Sequence, residues 1–414
     1  MKADPISLEM TACYMPYLRR LDGEADVMAA QVMAWSAINS GTGNYDGVSR
    51  MGDLALAAFA HLGRAEKVSL ASACRIGPPG GIIETPCADA IVIRHATELK
   101  KRVLLSIHLD TVFGLDDDFQ TPWQPDARTL RGPGVADAKG GLAVMLAALT
   151  AFTASPYADR LGFDVVLVPD EETGSLSSAG LLRAYAATAG VGMVYEPALP
   201  DGTLAGARKG SGNFALVIKG RTAHAGRNRE DGRNAIEAAA TATLHLQGLN
   251  VTQSGFGVNV SRIDGGGALN VVPDLAIVHV NIRCDDEIGQ QRAGSAMAQI
   301  AIDINSMDGI QAEWNGHFHR PPKPMDPAHK KLFGLAAECG RALNVSLSWK
   351  ATGGCCDGNN LAACGVPTID TLGVRGGAIH SADEFALVDS LVERSQLSAL
   401  LLMRLAAESD VWPC

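Results

Sequence analysis

The chain has 414 residues, of which 47% are hydrophobic and 19% are charged, and its formal net charge at pH 7 is −10. Its length predicts two domains, since a single core rarely keeps growing beyond about 250–300 residues, and its composition excludes a disordered chain. The acidic balance excludes nonspecific binding to nucleic acid or to an anionic membrane, because both need clustered Lys and Arg.

The cysteines and the N-terminus bear on the compartment. Nine cysteines are scattered without C-x-x-C spacing or the density of a secreted disulfide scaffold. The N-terminus has no apolar run behind a basic start, and no uninterrupted run reaches the ~20 apolar residues of a membrane span. We therefore expect a soluble, cytoplasmic protein.

The first half of the chain alternates between helical and strand patterns. Helical spacing covers four stretches: 26–38, 51–63, 140–152 and 177–189. Short apolar runs typical of buried strands cover 102–110, 163–170 and 192–197. Strands that alternate with helices predict an α/β domain with a mostly parallel sheet.

Polar side chains end each of these three strands. His108 and Asp110 end the first, the carboxylates of 170–172 end the second, and Glu196 ends the third. In open α/β sheets the ligand site lies at the carboxyl ends of the strands, so we expect these side chains to converge. The adjacent carboxylates of 170–172 repel one another, and a cation beside them would relieve that repulsion.

The pattern changes between residues 211 and 318. Its order of strand, helix, two strands, helix and strand predicts a compact α+β domain of ferredoxin-like type, inserted into the first domain. The first domain would then comprise residues 1–210 and 319–414. The sequence RPPKP at 320–324 is interpreted as the returning linker, and a long helical pattern covers 384–408.

Two imidazoles and five carboxylates form a candidate metal site: His108, Asp110, Asp137, Glu171, Glu172, Glu196 and His380. Imidazole and carboxylate ligands suit Zn²⁺ and related divalent ions, and two ions would use this set better than one. If Asp137 bridges both ions, one ion takes His108 and Glu196. The other ion takes Glu172 and His380.

The two remaining carboxylates have different expected roles. Glu171 is the candidate general base, which takes a proton from a water molecule at the metals and passes it to a leaving nitrogen. Asp110 lies two residues beyond His108 on an extended strand, so its side chain points to the same side and is expected to orient the imidazole. This chemistry is metal-assisted hydrolysis of an amide.

A resemblance to a known family rests on eight motifs that occur in order: HLDTV, GPGVADAKGG, DEETGS, YEP, GRTAHAG, NVVPD, GGCCDGN and HSADE. The chain resembles the zinc metallopeptidase family of acetylornithine deacetylase, succinyl-diaminopimelate desuccinylase and glutamate carboxypeptidase, and is most similar to the glutamate carboxypeptidase branch. The resemblance implies a zinc aminopeptidase-like catalytic domain with two Zn²⁺ per chain, for which Co²⁺ or Mn²⁺ are alternatives. It also implies that the inserted domain is a lid through which the protein forms a homodimer.

The resemblance further implies roles for three residues of the inserted domain. His224 would reach across the dimer to the partner's site and help to hold the substrate carbonyl oxygen. Asn270 and Arg283 would bind the terminal carboxylate of the substrate, a task that suits the planar fork of Arg. The chain departs from the family at Cys355 and Cys356, where Ser is common.

We therefore expect a dinuclear zinc hydrolase that cleaves an amide beside a free carboxylate, either a carboxypeptidase or an N-acyl-amino-acid amidohydrolase. A catalytically silent binding protein on the same fold and a cysteine hydrolase remain alternatives. Single residues also have ordinary explanations. Asp137 would be a favoured N-cap for the helix that follows it, and Arg283 has Asp285 and Asp286 nearby as partners for an ion pair.

Overall fold

The computed structural model describes residues 12–77 and 81–413. Its α-helices, in chain order, are α1 Met15–Leu18, α2 Ala25–Ser36, α3 Tyr45–Phe59, α4 Lys139–Thr153, α5 Ala179–Ala186, α6 Ala235–Thr252, α7 Glu287–Asn305, α8 Pro327–Ala342, α9 Asp357–Ala362 and α10 Asp389–Ala407. Its strands are β1 Arg64–Val68, β2 Ala73–Gly77, β3 Gly81–Thr85, β4 Ala90–His95, β5 Arg102–His108, β6 Trp123–Asp126, β7 Thr129–Arg131, β8 Gly162–Val168, β9 Val191–Val194, β10 Leu204–Arg208, β11 Gly210–Lys219, β12 Ala223–His224, β13 Phe256–Gly265, β14 Val271–Val272, β15 Leu275–Cys284, β16 Gln311–Arg320, β17 Trp349–Thr352, β18 Thr368–Ile369, β19 Gly376–Gly377 and β20 Phe385–Leu387.

A six-stranded sheet forms the centre of the large domain, with the strand order β1-β4-β8-β5-β9-β18. The strands β8, β5, β9 and β18 run parallel to one another, whereas β4 pairs antiparallel with both β1 and β8. The predicted α/β fold with a mostly parallel sheet is therefore confirmed. The antiparallel edge is a feature that the apolar runs did not reveal.

Helices cover both faces of this sheet. In β5, Val103, Leu105 and Ile107 join a large apolar cluster with α4 and α10, while Leu104 joins a smaller cluster with α5 and α9. Burial on both faces explains why β5 and β8 are almost continuously apolar in sequence. The carboxyl ends of the strands are left as the place where polar side chains can meet.

Two helix boundaries differ from the predicted ones. Helix α3 begins at Tyr45 rather than near residue 51, because the side chain of Asn44 accepts a hydrogen bond from the Gly47 backbone and caps the helix. The helix predicted over 384–408 begins only at Asp389. The residues before it form β20, because β7 and β19 offer their backbones as pairing partners on either side.

The inserted domain has the predicted order of elements, β11-α6-β13-β15-α7-β16. Its four strands form an antiparallel sheet in the order β13-β15-β11-β16, which is the ferredoxin-like arrangement. Helices α6 and α7 pack on one face and form an apolar cluster within residues 214–318, separate from the clusters of the large domain. Strands β11 and β16 extend to Gly210 and Arg320, just beyond the predicted bounds of 211 and 318, and the division of the chain stays a prediction.

One side chain forms hydrogen bonds with both of the segments that connect the two domains. The amide of Asn359, in α9, donates to the carbonyl of Lys209 at 3.0 Å and to that of Pro321 at 2.7 Å. Beside them, the backbones of Arg208 and Lys323 exchange two hydrogen bonds of 3.0 Å. The junction is therefore anchored to the start of α9, within the motif GGCCDGN.

None of the described helices is long and apolar enough to cross a membrane. No disulfide bond joins any two of the cysteines within the described residues. The cytoplasmic location itself stays a prediction.

Candidate metal centre

The predicted ligands come from separate parts of the chain. His108 is the last residue of β5, Glu172 lies in a 3₁₀ turn shortly after β8, and Glu196 lies two residues beyond β9. Asp137 lies two residues before α4, and His380 lies in the loop between β19 and β20. The structure brings all five side chains together at the carboxyl edge of the sheet.

His108, Asp137 and Glu196 form the first group. The imidazole Nε2 of His108 lies 3.0 Å from Asp137 Oδ1 and 3.9 Å from Glu196 Oε2. All three residues are buried, and one ligand atom from each lies within 4.8 Å of the others. A single ion placed among these atoms would contact one nitrogen and two carboxylates.

Asp137, Glu172 and His380 form the second group. The imidazole Nε2 of His380 lies 3.2 Å from Asp137 Oδ2 and 3.3 Å from Glu172 Oε2. These ligand atoms also lie within 4.8 Å of one another. Asp137 thus gives Oδ1 to the first group and Oδ2 to the second, which is the arrangement of a bridging carboxylate.

Two further observations indicate that this site suits divalent cations. Oε1 of Glu172 and Oε1 of Glu196 are buried and have no hydrogen-bond partner among the described residues. Burial raises the pKa of both carboxyls, and the neighbouring Asp137 carboxylate raises it further. Cations would coordinate the unpartnered oxygens and offset the repulsion, and imidazole with carboxylate is a donor set that suits zinc. The same ligands also accept Co²⁺ and Mn²⁺.

Glu171 lies beside the two groups but belongs to neither. Its side chain is mostly buried, and its Oε1 accepts a hydrogen bond of 2.7 Å from Nη2 of Arg320. Burial raises the pKa of Glu171 to about 8, although the positive charge of Arg320 opposes that shift. The predicted base is therefore a desolvated carboxyl rather than a solvated loop residue.

Asp110 makes contacts that differ from the expected ones. Its carboxylate accepts the backbone N–H groups of Glu171 at 3.1 Å and Glu172 at 3.2 Å, and the hydroxyl of Thr42 at 2.6 Å. The imidazole Nδ1 of His108 lies 2.9 Å from the backbone oxygen of Asp110 and 3.5 Å from its carboxylate. Asp110 thus orients the imidazole mainly through its backbone, while its carboxylate fixes the turn that carries both glutamates.

Glu384, which was not predicted as a site residue, fixes the backbone around Asp137. Its carboxylate accepts the backbone N–H groups of Gly134 at 3.2 Å, Ala136 at 2.9 Å and Asp137 at 3.0 Å. Asp137 is not a helix cap, because Ala138 holds the N-cap position of α4 and makes no side-chain cap bond. The only sequence signal for Glu384 is its place in HSADE, four residues after His380.

Arg320 was also missed, because RPPKP was interpreted as a linker. It is the last residue of β16, it is buried, and it contacts the predicted base. Lys139 is also buried, with Nζ donating to the Ile38 carbonyl at 2.9 Å. Lys139 lies within the motif GPGVADAKGG, whereas Arg320 lies in none of the eight motifs and had no such signal.

A cleft of about 770 Å³ lies beside the metal groups, between the large domain and the open face of the inserted sheet. Arg283 reaches it from β15, with Nε donating to Asn281 Oδ1 at 3.0 Å and Nη1 lying 2.9 Å from the sulfur of Cys355. Arg283 pairs with neither predicted acid: Asp285 pairs with a lysine at 2.7 Å, and Asp286 caps α7. Its guanidinium therefore faces the cleft.

His224 and Asn270 lie elsewhere in the inserted domain. Both are exposed, and the backbone oxygen of Asn270 accepts the N–H of Ala225 at 2.9 Å, next to the short pairing of β12 with β14. Neither side chain lines the cleft of the described chain. Within one chain the predicted substrate-binding group is thus divided, with Arg283 at the cleft and Asn270 beside His224.

The adjacent cysteines have different surroundings. Cys356 is buried at the N-cap of α9, where burial raises the pKa of its thiol and disfavours a nucleophilic thiolate. Cys355 lines the cleft and contacts Arg283. The structure gives the thiols less support as nucleophiles than it gives the carboxylates as metal ligands.

Comparison with known proteins gives a consistent result. The model of the family described as peptidase family M20/M25/M40 matches residues 104–404. Carboxypeptidase G2 of Pseudomonas sp. (strain RS-16) is 27% identical over 383 residues, which cover 89% of this chain and 87% of that protein.

Solved structures share the fold at low sequence identity. The di-peptidase Dug1p of Saccharomyces cerevisiae matches with a TM-score of 0.72 and 14% identity, over 96% of this chain and 99% of that chain. The YXEP protein of Bacillus subtilis, described as a dinuclear metal binding peptidase, matches with a TM-score of 0.63 and 16% identity, over 91% and 98% of the two chains. Both alignments span the large and the inserted domain.

Proposed function

The chain belongs to peptidase family M20/M25/M40, as a metal-dependent hydrolase, and from this premise we propose that it cleaves the amide bond of a peptide or N-acyl amino acid with a free terminal carboxylate. The observation that carries the proposal is the pair of ligand groups that share Asp137 beside Glu171. A carboxypeptidase and an N-acyl-amino-acid amidohydrolase differ only in what lies on the acyl side of the bond.

The proposed cofactor is a pair of Zn²⁺ ions in each chain. His108, Asp137 and Glu196 would hold one ion, and Asp137, Glu172 and His380 the other. When bound, the cations polarise the scissile carbonyl and lower the pKa of a water molecule at the site. The same nitrogen and oxygen ligands also accept Co²⁺ or Mn²⁺.

Glu171 would carry the proton through the reaction. As the water oxygen bonds to the carbonyl carbon, Glu171 accepts the proton that the water loses. When the carbon–nitrogen bond breaks, Glu171 delivers that proton to the leaving nitrogen, so the products are a carboxylic acid and a free amine. Its position beside both ligand groups, but in neither, supports this role.

Arg283 would bind the substrate's terminal carboxylate. Its guanidinium faces the cleft that also contains Glu171, and a planar guanidinium can hold a carboxylate through two parallel hydrogen bonds. Binding the carboxylate there would place the adjacent amide between Arg283 and the metal ligands. This placement supports the proposed preference for substrates with a free carboxylate.

Metal removal tests the proposal directly. We expect the purified protein to contain two metal ions per chain, to lose its activity on N-acyl amino acids or dipeptides after chelation, and to regain it when Zn²⁺ is returned. Metal content and hydrolysis of a substrate panel should be measured on the same samples. A Glu171→Gln sample, which should bind metal without turnover, controls for a contaminating peptidase.

Two results would contradict the proposal. Full activity in folded, metal-free protein would exclude metal-assisted hydrolysis and would favour a thiol-dependent enzyme if thiol reagents inactivate it. Two bound metals without turnover of any substrate in the panel would favour the silent binding protein.

We propose in addition that the protein is a homodimer through residues 211–318, in which the partner's His224 completes each site. The observation in support is that His224 and Asn270 are exposed and lie away from the cleft of their own chain. In this position both side chains are available to the site of another chain. The partner's imidazole would then help to hold the carbonyl oxygen of the substrate.

Mixing two inactive variants tests this arrangement. We expect Glu171→Gln and His224→Ala to be nearly inactive alone and to recover about a quarter of wild-type activity when their subunits exchange, because half of the dimers are then mixed and each has one complete site. The activity should be measured after refolding the variants together and separately. A refolded mixture that is no more active than the mean of the separate samples would place His224 outside the partner's site.

A further inference from the structure

The guanidinium of Arg320 is buried against the predicted base. The residue is 1% exposed, although Arg is almost never fully buried without a charged partner. Its Nη2 donates to Glu171 Oε1 at 2.7 Å and to the Glu171 backbone carbonyl at 3.0 Å. One donor atom therefore fixes both the side chain and the backbone of Glu171.

Arg320 is itself held from the other side. Its Nη1 donates to Asp357 Oδ1 at 2.7 Å, and its Nη2 also contacts the hydroxyl of Ser175 at 3.0 Å. That hydroxyl donates to the same Asp357 oxygen at 2.6 Å. Asp357 and Ser175 thus leave the guanidinium little freedom to rotate away from Glu171.

These contacts distinguish Arg320 from Arg283. Arg283 is partly exposed and reaches the cleft with an uncharged amide and a thiol as its partners. Arg320 already holds two carboxylates, so a substrate carboxylate could bind it only by displacing Glu171 or Asp357. Arg283 is therefore the side chain available to substrate, and Arg320 is committed to the protein.

Arg320 also lies where the two domains join. It ends β16 of the inserted domain, while Glu171 and Asp357 belong to the large domain. The next residue, Pro321, is held by Asn359 at 2.7 Å. The position of the base is thus tied to the segment through which the chain returns from the inserted domain.

We propose that Arg320 is a positioning residue for Glu171, and that it aims the carboxylate of the base at the site from the junction of the two domains. This inference rests on the proposed function, in which Glu171 is the general base. Arg320 acts only through Glu171 and does not bind substrate. Its loss should therefore slow turnover without weakening substrate binding.

Two substitutions separate charge from shape. Arg320→Lys keeps the charge but replaces the fork with a single ammonium group, and Arg320→Ala leaves space for a guanidinium ion from solution. We expect kcat to fall about 10–100-fold in both variants, the usual cost of losing such a support, with KM unchanged. Guanidinium chloride at millimolar concentration should restore part of the kcat of Arg320→Ala and none of that of Arg320→Lys.

Three further variants serve as controls. Arg64→Ala removes an exposed arginine of the large domain, whose side chain is 78% exposed, and should change neither parameter. Arg283→Ala should show the opposite kinetics, with a raised KM. Asp357→Asn should lower kcat with KM unchanged. Arg320→Ala leaves buried carboxylates unpaired, which destabilises a protein. If that variant fails to fold, Asp357→Asn and Arg320→Lys together test the positioning role.

A raised KM with unchanged kcat in the Arg320 variants would overturn the inference and make Arg320 a substrate ligand. Unchanged kinetics would overturn it as well. If the wild-type protein shows no turnover, the proposed function fails by itself. Thermal unfolding midpoints of Arg320→Lys, Glu171→Ala and the double variant then decide the pairing without activity, because alanine removes the carboxylate that Arg320 contacts: non-additive shifts support the pairing and additive shifts overturn it.

Discussion

Replacing Glu171 with Gln should lower kcat by a factor of about 10²–10⁴, which is the usual contribution of a general base, while both metals stay bound. Glutamine keeps the size of the side chain, and its amide oxygen can still accept the hydrogen bond from Arg320. It cannot take a proton from water. Because Glu171 belongs to neither ligand group, metal content should not change.

The measurement is kcat together with metal content and the thermal unfolding midpoint of each sample. The matched control is the neighbouring Glu172→Gln, which changes the same chemical group one residue away but removes a ligand of the second group. That variant should lose metal as well as activity. A Glu171→Gln enzyme that retained most of its turnover would show that another group is the base.

The pH dependence of the rate gives a second test of the same assignment. A general base works only in its ionised form, so activity should rise with pH through the range in which Glu171 loses its proton. That rise should be absent from the residual activity of Glu171→Gln. A rise of the same shape in both proteins would assign it to another group.

Part of the proposed metal site could be brought together from the sequence, because the signal for its residues at strand ends is local. His108 and Glu196 come directly after apolar runs that form parallel strands, and the carboxyl ends of such strands meet at one edge. Asp137 and His380 follow no such strand, and their assignment relied on the order of motifs along the chain. The geometry of the two groups agrees with the ligand division expected from the sequence.

The supporting residues were not predictable in the same way, because their roles arise from contacts between distant parts of the chain. Arg320 lies 149 positions from Glu171 in sequence, and Glu384 lies 247 positions from Asp137. Neither pairing leaves a trace in hydrophobic periodicity. Strand β20 was missed for the same reason, since its extended form depends on β7 and β19 rather than on its own propensity.

The backbone around Asp137 makes a substitution there informative. Glu384 accepts three backbone N–H groups from residues 134–137, so this segment is held without help from the Asp137 side chain. Asp137→Asn should therefore fold while changing only the shared ligand. It removes the negative charge that the two ligand groups share.

We expect Asp137→Asn to lose both metals, because Asp137 gives one oxygen to each ligand group. Its turnover should fall at least about 10³-fold. The metals contribute several kcal/mol of charge stabilisation to the transition state, and each tenfold in rate corresponds to about 1.4 kcal/mol. Glu196→Gln, which touches only the first group, should retain one metal per chain. Both variants should be dialysed against the same free zinc concentration before metal analysis.

Zinc should also raise the thermal unfolding midpoint of the wild-type protein and have little effect on that of Asp137→Asn, since a ligand stabilises only the protein that binds it. If Asp137→Asn keeps one tightly bound zinc, Asp137 serves a single ion and the two groups are independent sites.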